Sequence, residues 1–146
     1  MKNLSKYSVL FATGGGGYYL IEHLYRGYSH WSMFVLGGIC VILCGLINEG
    51  SRRYLPLWIQ MIICMVIITA LEMDAGLVFN IWLGMEVWDY SHQPLNFMGQ
   101  ICPLYSLYWY VLSLTAIFTD DYIRYWLYGE EKPLYILRIY QMKLYK

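Results

Sequence analysis

Residues 55–83 read LPLWIQMIICMVIITALEMDAGLVFNIWL. As far as Leu71 the run contains no charged side chain. Glu72 and Asp74 then appear, and apolar residues resume to Leu83. Crossing ~30 Å of hydrocarbon takes ~20 apolar residues in a helix, so the stretch predicts a membrane span. It must be helical, because a backbone in lipid has to satisfy its own hydrogen bonds. It is also too long for one perpendicular crossing. Two arrangements follow: a tilted helix, or a helix ending near Leu71 with residues 75–83 in the interface or re-entering the membrane.

Three further segments have the length and apolarity of spans: about Ser5–Tyr25, Trp31–Ile47 and Phe97–Phe118. Composition agrees. The chain is 59% hydrophobic and only 14% charged, where a soluble domain carries roughly 25% charged residues. Its 16 Tyr and 6 Trp suit a lipid–water boundary. Zero net charge gives no basic surface for nucleic acid. Lys2 and Lys6 precede an apolar run that leads into the second segment without a small-residue cleavage site, so that run is expected to stay as the first span. Cys40, Cys44, Cys64 and Cys102 all lie in apolar runs without a CxxC pair, as small packing residues do.

Nine of the ten Lys and Arg fall on one side of this arrangement: Lys2 and Lys6, Arg52 and Arg53, then Arg124, Lys132, Arg138, Lys143 and Lys146. Only Arg26 falls on the other. The bias predicts a multi-pass protein of the cytoplasmic membrane with both termini cytoplasmic. Residues 120–146 alternate aromatic and basic side chains (Tyr122, Arg124, Tyr125, Trp126, Tyr128, Tyr135, Arg138, Tyr140, Lys143, Tyr145) and read as an interfacial tail with its cations toward anionic headgroups. The expected division is a four-helix transmembrane domain over 1–119 and this tail over 120–146.

The chain also repeats itself. Residues 28–40 are YSHWSMFVLGGIC and residues 90–102 are YSHQPLNFMGQIC, an offset of 62 positions (90 − 28). The fold class expected is therefore an all-α membrane protein of four transmembrane helices. They form two tandem helix-pair repeats of the same orientation, about 5–50 and 55–118, with their polar loops together on the outer face. Gly14–Gly17, Gly37, Gly38 and Gly45 are expected to let helices approach closely; local unwinding at the GGGG run is the alternative.

The ionisable and polar residues near that face are the candidate ligand site: Glu22, Arg26, Ser29 and His30 from the first unit, and Glu72, Asp74, Asn80, Trp88, Asp89, Tyr90, Ser91, Asn96 and Gln100 from the second. Ionisable groups at membrane depth pair or line a pathway. Arg26, the lone basic side chain there apart from histidines, is expected to pair with Glu22, Glu72, Asp74 or Asp89. WDYS (88–91) reads either as an interfacial anchor with Asp89 or Ser91 capping a helical turn, or as part of a ligand pocket. His30 and His92 are the candidates for a metal pair, but no HExxH or i,i+4 His pair supports one, and no cofactor is expected. Ser29 and Ser91, each beside a His, are poorly placed as nucleophile–base pairs, since neighbouring side chains point apart.

The second half, with Glu72 and Gly76, WDYS at 88–91, Pro94, Asn96, Gly99 and Trp109, resembles the CmpB-like, ABC-transporter type IV family and its relatives among the vertebrate transmembrane protein 229 proteins. In the first half Glu22, RG at 26–27, YSHW at 28–31 and GG at 37–38 resemble the short bacterial members. The resemblance implies an integral membrane protein connected with transport. With no Walker motif in the chain, hydrolysis would fall to a separate ATPase subunit. Four spans make a thin wall for a solute path, so a homodimer or a partner membrane subunit is expected, within the lipid bilayer. The leading functional expectation is a permease-like component binding a small or amphiphilic ligand at the outer-face site. Its alternatives are an intramembrane enzyme acting on a lipid or isoprenoid, with Glu72, Asp74 or Asp89 as acid/base, and a non-catalytic membrane scaffold.

Overall fold

The structure, a computed structural model, describes residues 2–47, 55–133 and 135. Arg52 and Arg53, and the tail from 136 onward with Arg138, Tyr140, Lys143, Tyr145 and Lys146, lie outside the described residues. Four helices carry the fold: α1 (Lys2–Arg26), α2 (Trp31–Ile47), α3 (Leu57–Gly76) and α4 (Pro103–Tyr128). No strand forms among the described residues. Helix α3 runs on as a π-helical stretch over Leu77–Trp82, so the long apolar segment is one continuous helical rod that neither ends near Leu71 nor turns back. At 26 residues and a mean hydropathy of 2.1 over its best window, it is long and apolar enough to cross a membrane. Helix α2 is apolar but shorter, and α1 and α4 are diluted by glycines and charges. Apolar side chains point outward from the bundle, among them Leu24, Val66, Trp82 and Val111.

Helix α1 packs most extensively on α2; α2 also touches α3 and α4, and α3 packs on α4, while α1 and α4 meet sparingly. The α1–α2 contact is made by the glycines. A Cβ added to Gly14 would lie 2.6 Å from the Cβ of Val41, and one added to Gly37 would lie 2.5 Å from the Cβ of Tyr18. The GGGG run is unbroken helix, so it serves close packing rather than unwinding. Cys40, Cys44, Ile47, Leu57, Cys64, Ile68, Trp109 and Ile117 form the core between α2, α3 and α4, and all four cysteines are buried free thiols. Gly27 and Gly129 end α1 and α4 in the left-handed region, φ 79° and 67°, where residues with a Cβ are disfavoured.

Two expectations need correction. The fourth helix does not begin near Phe97. Pro103 starts it, where a missing N–H costs nothing, and it continues to Tyr128, so the expected boundary at 119/120 falls inside α4. Arg124, expected to reach for lipid headgroups, is instead buried. Its Nε donates to Asp120 Oδ2 at 2.6 Å, and its Nη1 lies 3.8 Å from Glu130. Lys6 of α1 reaches the same Glu130 at 2.6 Å. Tyr122 and Trp126, by contrast, are exposed.

The two YSH copies also differ in structure. Residues 31–40 of the first are helix, whereas residues 90–102 of the second have no helical residue. Asn96, which replaces Phe34 of the first copy, holds a turn there: it donates to Gln93 O at 2.8 Å and accepts from Gly99 N at 3.0 Å.

Candidate functional site

The polar constellation divides between the gap separating α1 from α4 and the loop that covers one end of the bundle. Residues 83–102 fold over that end of the bundle as a loop stapled by side chains. Asn80, on the π-helical stretch, accepts from Val87 N at 2.7 Å and donates to Trp88 O at 2.9 Å and Gln100 Oε1 at 2.7 Å. Trp88 is buried, with its indole N–H on Gln100 O at 2.9 Å. Tyr90 N bonds to Gly99 O at 2.8 Å. Asn80, Gln100, Asn96 and Ser91 thus appear as the loop's internal bonding.

Glu72 is the centre of the arrangement. It is 3% exposed, and its two carboxylate oxygens accept from Tyr90 O–H at 2.9 Å and Trp109 Nε1–H at 2.8 Å. One side chain of α3 therefore ties the loop to α4. Burial, then the Glu72 charge, pushes the Tyr90 phenol up from its ordinary value, which keeps its hydroxyl a donor. Asp74, two residues on, points away and is exposed.

Arg26 pairs with Glu22 one turn earlier in α1 and donates twice more to Val87 O at 3.2 Å, fastening α1 to the loop. Ser29 bonds the second Glu22 oxygen. Asp89 is exposed. It accepts both the hydroxyl and the amide of Ser91 on Oδ1, which hold its carboxyl below the usual carboxylate range. This is a local turn, not a helix cap. His30 caps α2: its Nδ1 accepts Ser32 N–H at 3.3 Å and lies 2.8 Å from Ser32 Oγ. His92 is exposed, and no cluster of three or more metal-ligating side chains forms among the described residues.

Two cavities open in the α1–α4 gap. The smaller and more apolar one, about 300 Å³, runs beside Gly17, Gly37, Cys40, Thr115 and Thr119, with Glu72 in its wall. The second, about 710 Å³, has Glu22, Arg26, Trp88, Asp89 and Tyr90 around it. Tyr18, Ile21, Trp109 and Leu112 line both. Aromatic rings set the walls: Tyr18 against Trp109 at 5.5 Å, Tyr105 stacked on Tyr90 at 4.2 Å, and Tyr108 edge-on to Tyr105 at 5.6 Å. Of the residues expected from sequence, Glu22, Arg26, Trp88, Asp89 and Tyr90 are brought together around one cavity and Glu72 around the other. Ser29, His30, Asp74, Asn80, Ser91, Asn96 and Gln100 line neither. Sequence reading missed Tyr18, Gly17, Tyr105 and Leu112. The i,i+4 spacing of Tyr105 and Trp109 on one face of α4 was the available signal.

The described residues form an all-helical bundle with one helix long and apolar enough to cross a membrane and with cavities toward its polar end. The family described as "Putative ABC-transporter type IV" matches residues 11–139, and the chain belongs to it. That membership makes it a transport-related membrane component. No solved structure matches the chain.

Proposed function

We propose that the chain is a four-span membrane subunit, both termini cytoplasmic, that binds a small amphiphile in the slot between α1 and α4. The headgroup lies at the 83–102 loop on the outer face, and the apolar part lies alongside Gly17 and Leu112. One observation carries this reading: the two cavities share Tyr18, Ile21, Trp109 and Leu112, so a polar mouth and an apolar chamber adjoin along the same helices. Volumes of this order are those of ligand pockets. The sparse α1–α4 contact supports lateral entry from lipid. A separate ATPase subunit, and a second copy or partner subunit completing the wall, belong to this proposal. The tandem-repeat reading rests on sequence, since the two YSH copies differ locally. The acid–base reading has less support, because both oxygens of Glu72 are already engaged by Tyr90 and Trp109.

Gly17 supplies the test. It lines the smaller cavity, and a Cβ added there meets nothing within 4 Å. Gly17→Leu therefore puts a side chain into the slot from a position with open space at its Cβ, and replacing a mid-helix glycine favours the helix by roughly 0.5–1 kcal/mol. Native mass spectrometry of the purified wild type is expected to show a bound amphiphile. The variant should lose it while melting at the same temperature or higher. A wild type free of adducts, or a variant that keeps them, would refute the slot.

A further inference from the structure

We infer that the mouth of the slot is a cation site, so that the amphiphile it takes carries a quaternary ammonium or alkylated amine headgroup. This rests on the slot reading above and adds to it the charge of the headgroup. The first observation is the ring content of the mouth. Tyr25, Trp88, Tyr90, Tyr105 and Tyr108 line it, and Trp109 stands at its waist. Aromatic rings gathered around one space offer π-faces to a cation, although Tyr90 and Tyr105 each turn one face to the other and the tyrosine hydroxyls could donate to an anion.

The second observation is the balance of charge. Three charged side chains line the mouth: Glu22, Arg26 and Asp89. Arg26 is paired with Glu22 and bonded to Val87 O, so it is engaged within the protein and its charge is offset. Asp89 has no such partner among the described lining residues. Both its hydrogen bonds come from the neutral Ser91 and fall on Oδ1. Within the lining itself Asp89 is therefore the one charge without an opposite charge beside it, while His92, further along the loop, acts on it from outside the lining. An anionic headgroup would meet that carboxylate and would have to share Arg26 with Glu22. A sugar or other neutral headgroup would fit the space but would gain nothing from the charge.

The test compares three amphiphiles with the same twelve-carbon chain: dodecyltrimethylammonium, dodecyl maltoside and dodecyl sulfate. Each is titrated below its micelle concentration at pH 8 into the full chain held in a non-ionic amphipol. Binding is read from tryptophan fluorescence, since Trp88 and Trp109 line the mouth, and Gly17→Leu gives the background of non-specific partition. The ammonium compound is expected to bind roughly tenfold more tightly than the other two. Asp89→Asn keeps an acceptor for Ser91 while removing the charge, and it should shrink that advantage several-fold. Equal saturable binding of all three would leave the slot standing and overturn the cation site, as would tightest binding by the sulfate. No saturable binding by any of them would overturn both. The comparison on the wild type decides even if the Asp89 variant folds poorly.

Discussion

Replacing Asp120 with alanine is expected to cost the detergent-solubilised protein about 3–5 kcal/mol of unfolding free energy, the usual loss when one partner of a buried ion pair is removed. Asp120 is fully buried and Arg124 is 4% exposed, with 2.6 Å between Nε and Oδ2. Truncation leaves the guanidinium in place and short of a carboxylate. The pair is also held sterically, because Gly45 of α2 lies directly against the Asp120 carboxyl and any Cβ there would overlap it. Gly45→Ala should therefore destabilise in the same direction, by forcing α2 and α4 apart. Unfolding of the purified variants by denaturant titration checks both. If Arg124 instead reached out to headgroups, Asp120→Ala would melt like the wild type, and Arg124→Gln would weaken binding to anionic vesicles without changing stability.

Glu72→Leu is expected to cost about 2–4 kcal/mol, because it removes both acceptors at once and leaves the Trp109 N–H and the Tyr90 O–H without a partner. Buried hydrogen bonds in membrane proteins average nearer ~0.6 kcal/mol when an alternative partner exists. The lower end applies if water enters the neighbouring cavity. Glu72→Gln keeps one acceptor and sets an amide N–H against the other donor, so it should lose roughly half as much. Asp74→Asn is the control: its side chain is exposed, and exposed substitutions stay within about 0.5 kcal/mol. Equal effects at Glu72 and Asp74 would contradict the placement of the two carboxylates.

These two carboxylates show how far the sequence could be read. Both were legible as costly groups in an apolar run. Which one faces inward depends on the rotation of α3, and the apolar residues surround that helix too evenly to reveal it. Helices α1 and α2 were legible from apolar runs bounded by polar residues, with Gly27 as a stop signal. The start of α4 was misjudged because Phe97, Met98 and Ile101 continue the apolar run, although Pro103 marks a helix start. Its end was misjudged because Asp120, Asp121 and Arg124 read as the edge of a membrane span. Their spacing hints at the Asp120–Arg124 pair, but Lys6 joins the cluster through Glu130 from 124 residues away. The Arg26–Glu22 pair was among the pairings expected. The slot was beyond sequence, because it depends on α1 and α4 failing to close on each other.

The π-helical stretch acts as a vernier between the rod and its cap. Its hydrogen bonds reach back five residues, as from Leu83 N to Val78 O at 2.9 Å, so it holds more residues per turn than the helix below it. Four residues there come closer to one full turn, so Asn80 stays in line with the buried Glu72–Gly76 face: Gly76 packs on Gln100, and Asn80 bonds Gln100, Val87 and Trp88. Deleting one of residues 77–79 would let the stretch relax to ordinary helix and draw Asn80 back along the helix axis by about one residue's rise, away from its three partners. The loop that roofs the mouth would then lose its central staple while α1, α2 and α4 kept their sequences. In this fold the length of a single helical turn, rather than the polarity of any one residue, sets whether the roof closes.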